Sequence, residues 1–286
     1  MRALTTGLAE LIPEALLAAK VREALEEDLG PGGVDVTSQA VVPDALQAGA
    51  EIIAKADGVL AGVPAAVEVF RQVDPEVEVR FEVEDGARVA RGLRVAIVDG
   101  RLRSVLRAER TALNFLQQLS GVATLTRRYV DAAPGVTVLN TRKTVPGLRA
   151  FQRYAVAAGG GTNHRRGLSS AVLIKDNHVA SAGGVSAALA RTRDLGLPVE
   201  IEVETLEQLE EALAAGPPEV VLLDNMPVEM AAEAVRRTAG RAVLEVSGGV
   251  TLATVGAYAA TGVDRISVGE LTHSAPALDL SLEVSL

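Results

Sequence analysis

Hydrophobic and polar positions repeat with two different periods along the chain, and the change of period divides it. Glu14 to Leu29 carries apolar residues at helical spacing and stops at Gly30-Pro31-Gly32-Gly33, which predicts a short amphipathic helix. Val77, Val79, Phe81 and Val83 alternate with Glu78, Arg80, Glu82 and Glu84, the period of a strand with one wet face. Ala50–Ala54 is a second strand-like stretch, and Gly58, Gly62, Gly86, Gly92 and Gly100 punctuate this half. The pattern suits a small α/β sandwich domain. Leu106 to Ala132 reads as a long helical segment broken near Gly121, with Leu113, Leu116, Leu119 and Val122 at helical spacing.

Beyond it the pattern changes. Short hydrophobic runs appear at Val136–Leu139, Ala171–Ile174, Val199–Val203, Val220–Leu223, Ala242–Val246 and Asp264–Val268. Helical stretches rich in Ala, Leu and Glu, such as Leu206–Ala215 and Val228–Thr238, separate most of them. Strand alternating with helix predicts a parallel sheet. No Gly-x-Gly-x-x-Gly opening marks a dinucleotide site, which favours a closed or nearly closed barrel over a doubly wound sheet.

Composition narrows the chemistry. The 286 residues are 48% hydrophobic and 2% aromatic, so the core is built from Ala, Val, Leu and Ile. Without cysteine there is no disulfide, thiolate metal site or cysteine nucleophile. No leader pattern opens the chain, and no apolar run reaches the ~18 residues of a membrane span, so the expected location is cytoplasmic. A net charge of −9 argues against general nucleic-acid binding. The charge is uneven, however. Ala132 to Lys175 holds no Asp or Glu but contains Arg142, Lys143, Arg149, Arg153, Arg165, Arg166 and Lys175. A solvated basic face is the bland explanation; a local anion site is the sharper one.

The barrel geometry decides between them. Catalytic groups of such barrels sit at the C-terminal ends of strands and in the loops after them. The six runs end in Asn140-Thr141-Arg142-Lys143-Thr144, Lys175-Asp176-Asn177-His178, Glu204, Asp224-Asn225, Ser247-Gly248-Gly249 and Gly269-Glu270. Ordinary turn chemistry explains Asp224-Asn225 and Gly269 but not Arg142, Lys143 and Lys175 at one mouth. In Val199–Glu204 the apolar residues should face out, turning Glu200, Glu202 and Glu204 into the lumen. Glu200 and Glu202 then read as structural ion-pair members, and Glu204, at the mouth, as the functional candidate. Ser247-Gly248-Gly249, before a helix expected near Thr251, reads as a phosphate cradle that Gly269 completes. His164, His178 and His273 lack metal-ligand spacing, so no protein-held metal is expected. His164 gains weight by adjoining Arg165.

These residues resemble the quinolinate phosphoribosyltransferase family. The likeness is carried by Thr141-Arg142-Lys143-Thr144-x-Pro146-Gly147-Leu148-Arg149, Gly159-Gly160-Gly161-x-Asn163-His164-Arg165 and Leu173-Ile174-Lys175-Asp176-Asn177-His178. Further matches are Asp35-Val36-Thr37-Ser38, Glu109-Arg110-Thr111-Ala112-Leu113-Asn114, Glu202-Val203-Glu204, Leu223-Asp224-Asn225, Ser247-Gly248-Gly249 and Leu271-Thr272-His273-Ser274-Ala275. They run through nearly the whole chain in order. Ser169-Ser170 and Glu270 depart from the expected pattern.

The resemblance implies an α/β chain: an N-terminal α/β open-faced sandwich domain over residues 1–110, joined by the segment 271–286, and an incomplete, six- or seven-stranded α/β barrel over 111–270. It implies a homodimer with shared active sites, in some members a hexamer. The implied reaction joins quinolinate to phosphoribosyl pyrophosphate, giving nicotinate mononucleotide, pyrophosphate and CO₂ in de novo NAD synthesis. Carried onto this sequence, Arg142, Lys143, Arg165 and the partner's Arg110 hold the two carboxylates. Thr141 and His164 adjoin them. Ser247, Gly248, Gly249, Val268, Gly269, Glu270 and His273 surround the 5′-phosphate. Lys143 and Lys175 suit the pyrophosphate, and Glu204 and Asp224 stabilise positive charge at the anomeric carbon. The implied catalytic set is Lys143, Lys175, Glu204 and Asp224. Mg²⁺ is expected mainly through phosphoribosyl pyrophosphate. Two rival readings are a phosphoribosyltransferase of this fold acting on another ring acid and a non-catalytic anion-binding relative that accompanies a transporter.

Overall fold

The computed structural model describes residues 11–285; the opening ten residues, part of the stretch in which a leader was sought, lie outside it. The described chain forms two compact units. One comprises residues up to Arg127 together with Val145–Gly160 and Ser274 onward; the other comprises Arg128–Thr144 and Gly161–His273. This grouping places Ser274 onward with the N-terminal part, and also sets most of the long helix and a later helix there, beyond the boundary drawn at residue 110 from the sequence.

The first unit starts with α1 (Glu14–Leu29) and α2 (Val36–Val41). Asp35 starts α2 by accepting the N–H groups of Thr37 and Ser38, each at 3.0 Å, and the Ser38 hydroxyl. These bonds, that from the hydroxyl foremost, hold the Asp35 carboxyl below its usual range. The Asp-x-Thr-Ser stretch is thus a helix start. Next come β1 (Gln47–Ala54), β2 (Gly58–Val59), α3 (Val63–Val73), β3 (Glu78–Phe81), β4 (Arg88–Val89) and β5 (Arg94–Arg101). Pro64 in the first turn of α3 fits there because its missing N–H has no helical partner to lose. An antiparallel sheet runs in the order β12-β1-β5-β3, its outer strand β12 (Leu280–Ser285) coming from the far side of the barrel sequence. Ile52, Val95 and Val98 of the sheet, Val21 of α1 and Val69 of α3 form its core, each fully buried.

The helix α4 (Leu102–Ala132) runs unbroken through Gly121, contrary to the expected break. Gly121 is there for close approach: a Cβ at this position would lie 2.2 Å from the Pro276 carbonyl oxygen and 2.9 Å from Ala277 Cα. Gly121→Ala should therefore lower stability by about 1–3 kcal/mol, more than the small gain an alanine brings to a helix. Thermal melting of the variant checks this; an unchanged or raised Tm would show that the 276–277 segment yields freely.

The second unit contains six parallel strands: β6 (Thr137–Leu139), β7 (Val172–Ile174), β8 (Val199–Val203), β9 (Val220–Asp224), β10 (Val243–Ser247) and β11 (Arg265–Ser267). Their order is β6-β11-β10-β9-β8-β7, so the first strand in the chain pairs with the last and the sheet curls round. It stays open between β6 and β7, as expected for an incomplete barrel; a single bridge from Leu139 to Thr162 extends the β6 edge. Between β6 and β7 the chain forms α5 (Arg149–Ala158) in the first unit. The other connections carry α6 (Asp176–Ala182), α7 (Val185–Ala190), α8 (Leu206–Ala214), α9 (Val228–Thr238) and α10 (Val255–Ala259), and α11 (Glu270–His273) follows β11. Ile201, Val203, Val221, Leu223, Val246 and Ile266 are fully buried, the apolar half of each strand's alternation.

Candidate active site

The other half of that alternation lines a cavity of about 570 Å³. Leu173 and Lys175 come from β7 and the residue after it, Glu202 from β8, Leu222 and Asp224 from β9, Glu245 and Ser247 from β10, and Ser267 from β11. The loop after β6 adds Thr141, Arg142 and Lys143, and the loop before β7 adds His164 and Arg165. Gly248 and Gly249 close the list of walls, with Asn225. Most of the expected site residues therefore meet in one place.

Local bonds fix these loops. Asn140 is fully buried; its amide nitrogen donates to Asn163 Oδ1 at 2.8 Å, and its oxygen accepts the His164 N–H at 2.9 Å. This ties the end of β6 to the basic loop before β7. Lys143 is placed by its own N–H, which donates to Thr141 Oγ1 at 3.1 Å, and by its carbonyl, which accepts the Thr272 hydroxyl at 2.7 Å. Gly269 lies between Lys143 and His273: a Cβ there would be 3.1 Å from His273 Nε2 and 3.4 Å from Lys143 Cδ. Lys175 pairs with Glu202 at 2.6 Å, the structural ion pair expected of that glutamate. His178 caps the same turn, its Nδ1 accepting the Lys175 N–H at 2.9 Å.

Electrostatically the pocket is arranged for an anion. Burial first, and then the neighbouring charge of Arg142, lower the proton affinity of Arg165, whose Nε is buried without a hydrogen-bond partner. Arg165 is held in place by its Nη1, which donates to the Ala171 carbonyl at 2.9 Å. Two guanidinium groups that destabilise one another in a polar cleft are stabilised by a ligand carrying matching negative charge.

The glycine cradle departs from expectation. Gly248 and Gly249 have φ of 87° and 63°, a left-handed pair that leaves their N–H groups in a nest. Gly248 is required for space as well, since a Cβ would lie 2.2 Å from Asn225 Oδ1. The following helix, however, begins at Val255 and not near Thr251. Residues 251–254 form a turn that leads into it: the Val255 N–H bonds the Thr251 carbonyl at 2.8 Å, and the Thr251 N–H donates to Thr254 Oγ1 at 3.0 Å.

Six expected residues are not among the cavity's walls: Gly269 and His273, which stand beside Lys143, and four others. Glu204 is exposed and lines a neighbouring acidic depression with Asp176, Glu202 and Gln208; its N–H donates to Gln208 Oε1 at 2.7 Å. Only Glu202 is common to both cavities. Val268 is buried, its N–H bonded to the Leu139 carbonyl at 2.9 Å. Glu270 accepts the Tyr129 hydroxyl. Arg110 belongs to the first unit, where its side chain is exposed. Sequence reasoning missed Glu245 and Ser267. Glu245 is fully buried inside a run that reads as apolar, Ala242–Val246. The strand period would have found it, because Leu244 and Val246 face one way and Glu245 and Ser247 the other.

Family models described as the N-terminal and C-terminal domains of quinolinate phosphoribosyl transferase match residues 35–120 and 122–283. A nicotinate-nucleotide pyrophosphorylase [carboxylating] of Mycobacterium leprae is 46% identical over 273 residues, 92% of this chain and 95% of the relative. A quinolinate phosphoribosyltransferase [decarboxylating] of Nicotiana tabacum is 42% identical over 288 residues, 94% of this chain and 82% of the relative. Among solved structures, a nicotinate-nucleotide pyrophosphorylase from Francisella tularensis superposes with a TM-score of 0.91 at 40% identity, covering 96% of this chain and 98% of that one.

Proposed function

The chain belongs to the quinolinate phosphoribosyltransferase family, and on that footing we propose that it joins quinolinate to phosphoribosyl pyrophosphate, releasing nicotinate mononucleotide, pyrophosphate and CO₂. The observation that carries this reading is the pairing of Arg142 and Arg165 in one cavity, where burial and then the charge of Arg142 make Arg165 costlier to keep charged without an anion. Quinolinate has two adjacent carboxylates for such a pair. The product places the enzyme in NAD biosynthesis, and the reading goes with a cytoplasmic location. No helix of the described residues is long and apolar enough to cross a membrane.

Each wall then has a task. Arg142 and Arg165 hold the ring acid, with Lys143 beside them. The nest of Gly248 and Gly249, with Ser247, Gly269 and His273, takes the 5′-phosphate through N–H groups and the imidazole. Lys143 and Lys175 offer charge to the pyrophosphate. Asp224, at the end of β9, stabilises the cationic anomeric carbon as the bond to pyrophosphate breaks. The ring nitrogen bonds to that carbon; the adjacent pyridinium charge then stabilises the electron pair left on the ring carbon as CO₂ departs, and a proton from water completes the new C–H bond. Asp224 and Glu204 offer only oxygen donors, which fits Mg²⁺; brought in on phosphoribosyl pyrophosphate, it would neutralise the leaving group. A homodimer, or a hexamer built from such dimers, completes the proposal, with the partner's Arg110 reaching each site.

The test is an assay with quinolinate, phosphoribosyl pyrophosphate and Mg²⁺ that follows nicotinate mononucleotide and CO₂ together. Equal yields are expected. Nicotinate mononucleotide formed only when nicotinate replaces quinolinate, and then without CO₂, would mean another ring acid is the substrate, and no product from either would point to a non-catalytic anion binder. Asp224→Asn should lower kcat by about 10²-fold or more with little change in quinolinate affinity; a normal kcat with only a raised KM would remove Asp224 from the chemistry.

A further inference from the structure

A buried acidic group sits against the cavity, and the roles above make no use of it. His164 Nε2 lies 3.2 Å from Glu200 Oε2 and 3.4 Å from Glu245 Oε1. Glu200 is 8% exposed and Glu245 is 0% exposed. Glu245 also accepts the Ser267 hydroxyl. Glu200 Oε1 and Glu245 Oε2 are buried with no hydrogen-bond partner. Two full carboxylate charges so placed repel each other and are poorly solvated, and one proton on the trio relieves both penalties.

The backbone says where that proton resides. The Arg165 N–H donates to His164 Nδ1 at 2.8 Å, so a hydrogen on Nδ1 would point straight at it. On this geometry the ring carries its hydrogen on Nε2, directed at the glutamates, and a further proton on the trio goes to a carboxyl, Glu200 being the one that burial raises. The same tautomer argues against a metal. The three ligand atoms lie within 4.8 Å of one another, yet Nε2 offers a hydrogen and not a lone pair.

Electrostatics favour the other placement, with the proton on the ring. Burial opposes a charge on His164, but the hydrogen bonds and charges of Glu200 and Glu245 outweigh it and push its titration up to about 9. Burial, with the charge of Glu245 adding to it, raises Glu200. A charged ring above two carboxylates and a neutral ring above one carboxyl and one carboxylate both sum to −1. The trio thus behaves as one titrating unit. Arg165 acts on it from the same loop. Arg142, Lys143, Lys175, Glu202 and Asp224 are the other charged groups of the cavity.

We propose that Glu200 and Glu245 are positioning residues that act through His164, and that one proton retained by this buried trio is linked to binding of the dicarboxylate ligand. The inference rests on the quinolinate reading. With the proton, the trio faces an incoming dianion with a single negative charge. Without it, the trio carries two. Ligand bound on Arg142 and Arg165 must then draw a proton in wherever the free protein has lost it.

Calorimetric titration of quinolinate at pH 9, in two buffers of different ionisation enthalpy, counts that proton. Wild type should take up about half a proton per ligand at pH 9 and close to none at pH 7. Above pH 9 its Kd should rise toward tenfold per pH unit. Glu200→Gln and Glu245→Gln should show no uptake at pH 9 and a Kd nearly constant between pH 7 and 9. If either amide fails to fold, Ser267→Ala serves instead: removing a donor to Glu245 should shift the uptake to higher pH. Uptake in these variants equal to wild type would assign the proton to a lysine and overturn the proposal. So would quinolinate binding at pH 7 with no uptake by wild type at pH 9. Failure of wild type to bind quinolinate at pH 7 would sink the functional reading, and this inference with it.

Discussion

Arg165→Ala should weaken quinolinate binding by about 2–5 kcal/mol, roughly 30- to 5,000-fold, and should weaken nicotinate binding much less. The size follows from where the guanidinium sits. Its Nε is buried without a partner, and its proton affinity is already lowered by burial and by Arg142. A carboxylate seated there gains a desolvated, charge-assisted contact that water cannot replace. Arg142, relieved of a like charge in the empty variant, has less to gain from the ligand, which adds to the loss. The measured value is thus the sum of a lost contact and a relaxed pocket. Arg165→Lys should recover little, since an ammonium lacks the planar fork that spans a carboxylate. Titrating both ligands onto each variant is the check. Equal losses for quinolinate and nicotinate would show that Arg165 does not read the second carboxylate.

The other large effect concerns assembly. Arg110 is exposed on α4 in the first unit, while Asp224 lines the cavity of the second. If Arg110 serves the partner subunit's site, Arg110→Ala and Asp224→Ala chains, each nearly inactive, should complement one another. Unfolded together and reassembled, they form mixed dimers in which one site carries both defects and the other carries neither. Random pairing makes half the dimers mixed, so about one quarter of wild-type activity should return. Native mass spectrometry establishes that mixed dimers are present. If they are present and the mixture is as inactive as its parents, Arg110 acts within its own chain or not at all.

How far the sequence reveals the site depends on which physical signal each residue leaves. Val199–Val203 alternates openly, and its lumen-facing glutamates lie where that period puts them: Glu200 against His164 and Glu202 against Lys175. Arg142, Lys143 and Lys175 stand out because nothing in ordinary turn chemistry asks for them. Glu245 leaves a weaker trace, a lone charge among valines and a leucine, and its meaning depends on partners far away in sequence. The same holds for β5 and β12, whose pairing with β1 is long-range and has no local marker. Gly121 misleads for a related reason. A glycine inside a helical pattern suggests a break, whereas here it admits the 276–277 backbone, a neighbour more than 150 residues later in the chain. The helix expected near Thr251 is regular only from Val255, after a lead-in turn whose bonds start at the Thr251 carbonyl.

The pairing of β12 with β1, from Gly49 opposite Ser285 to Ala54 opposite Leu280, also fixes an order of events during synthesis. On the ribosome, every strand of the parallel sheet emerges before the strand that finishes the antiparallel one. The first unit therefore waits with β1 as an open edge, hydrophobic at Ile52 and able to recruit a stray strand, until the second unit has been made. A stop codon or a bulky tag placed just after His273 would spare the parallel sheet and injure the part of the protein translated first.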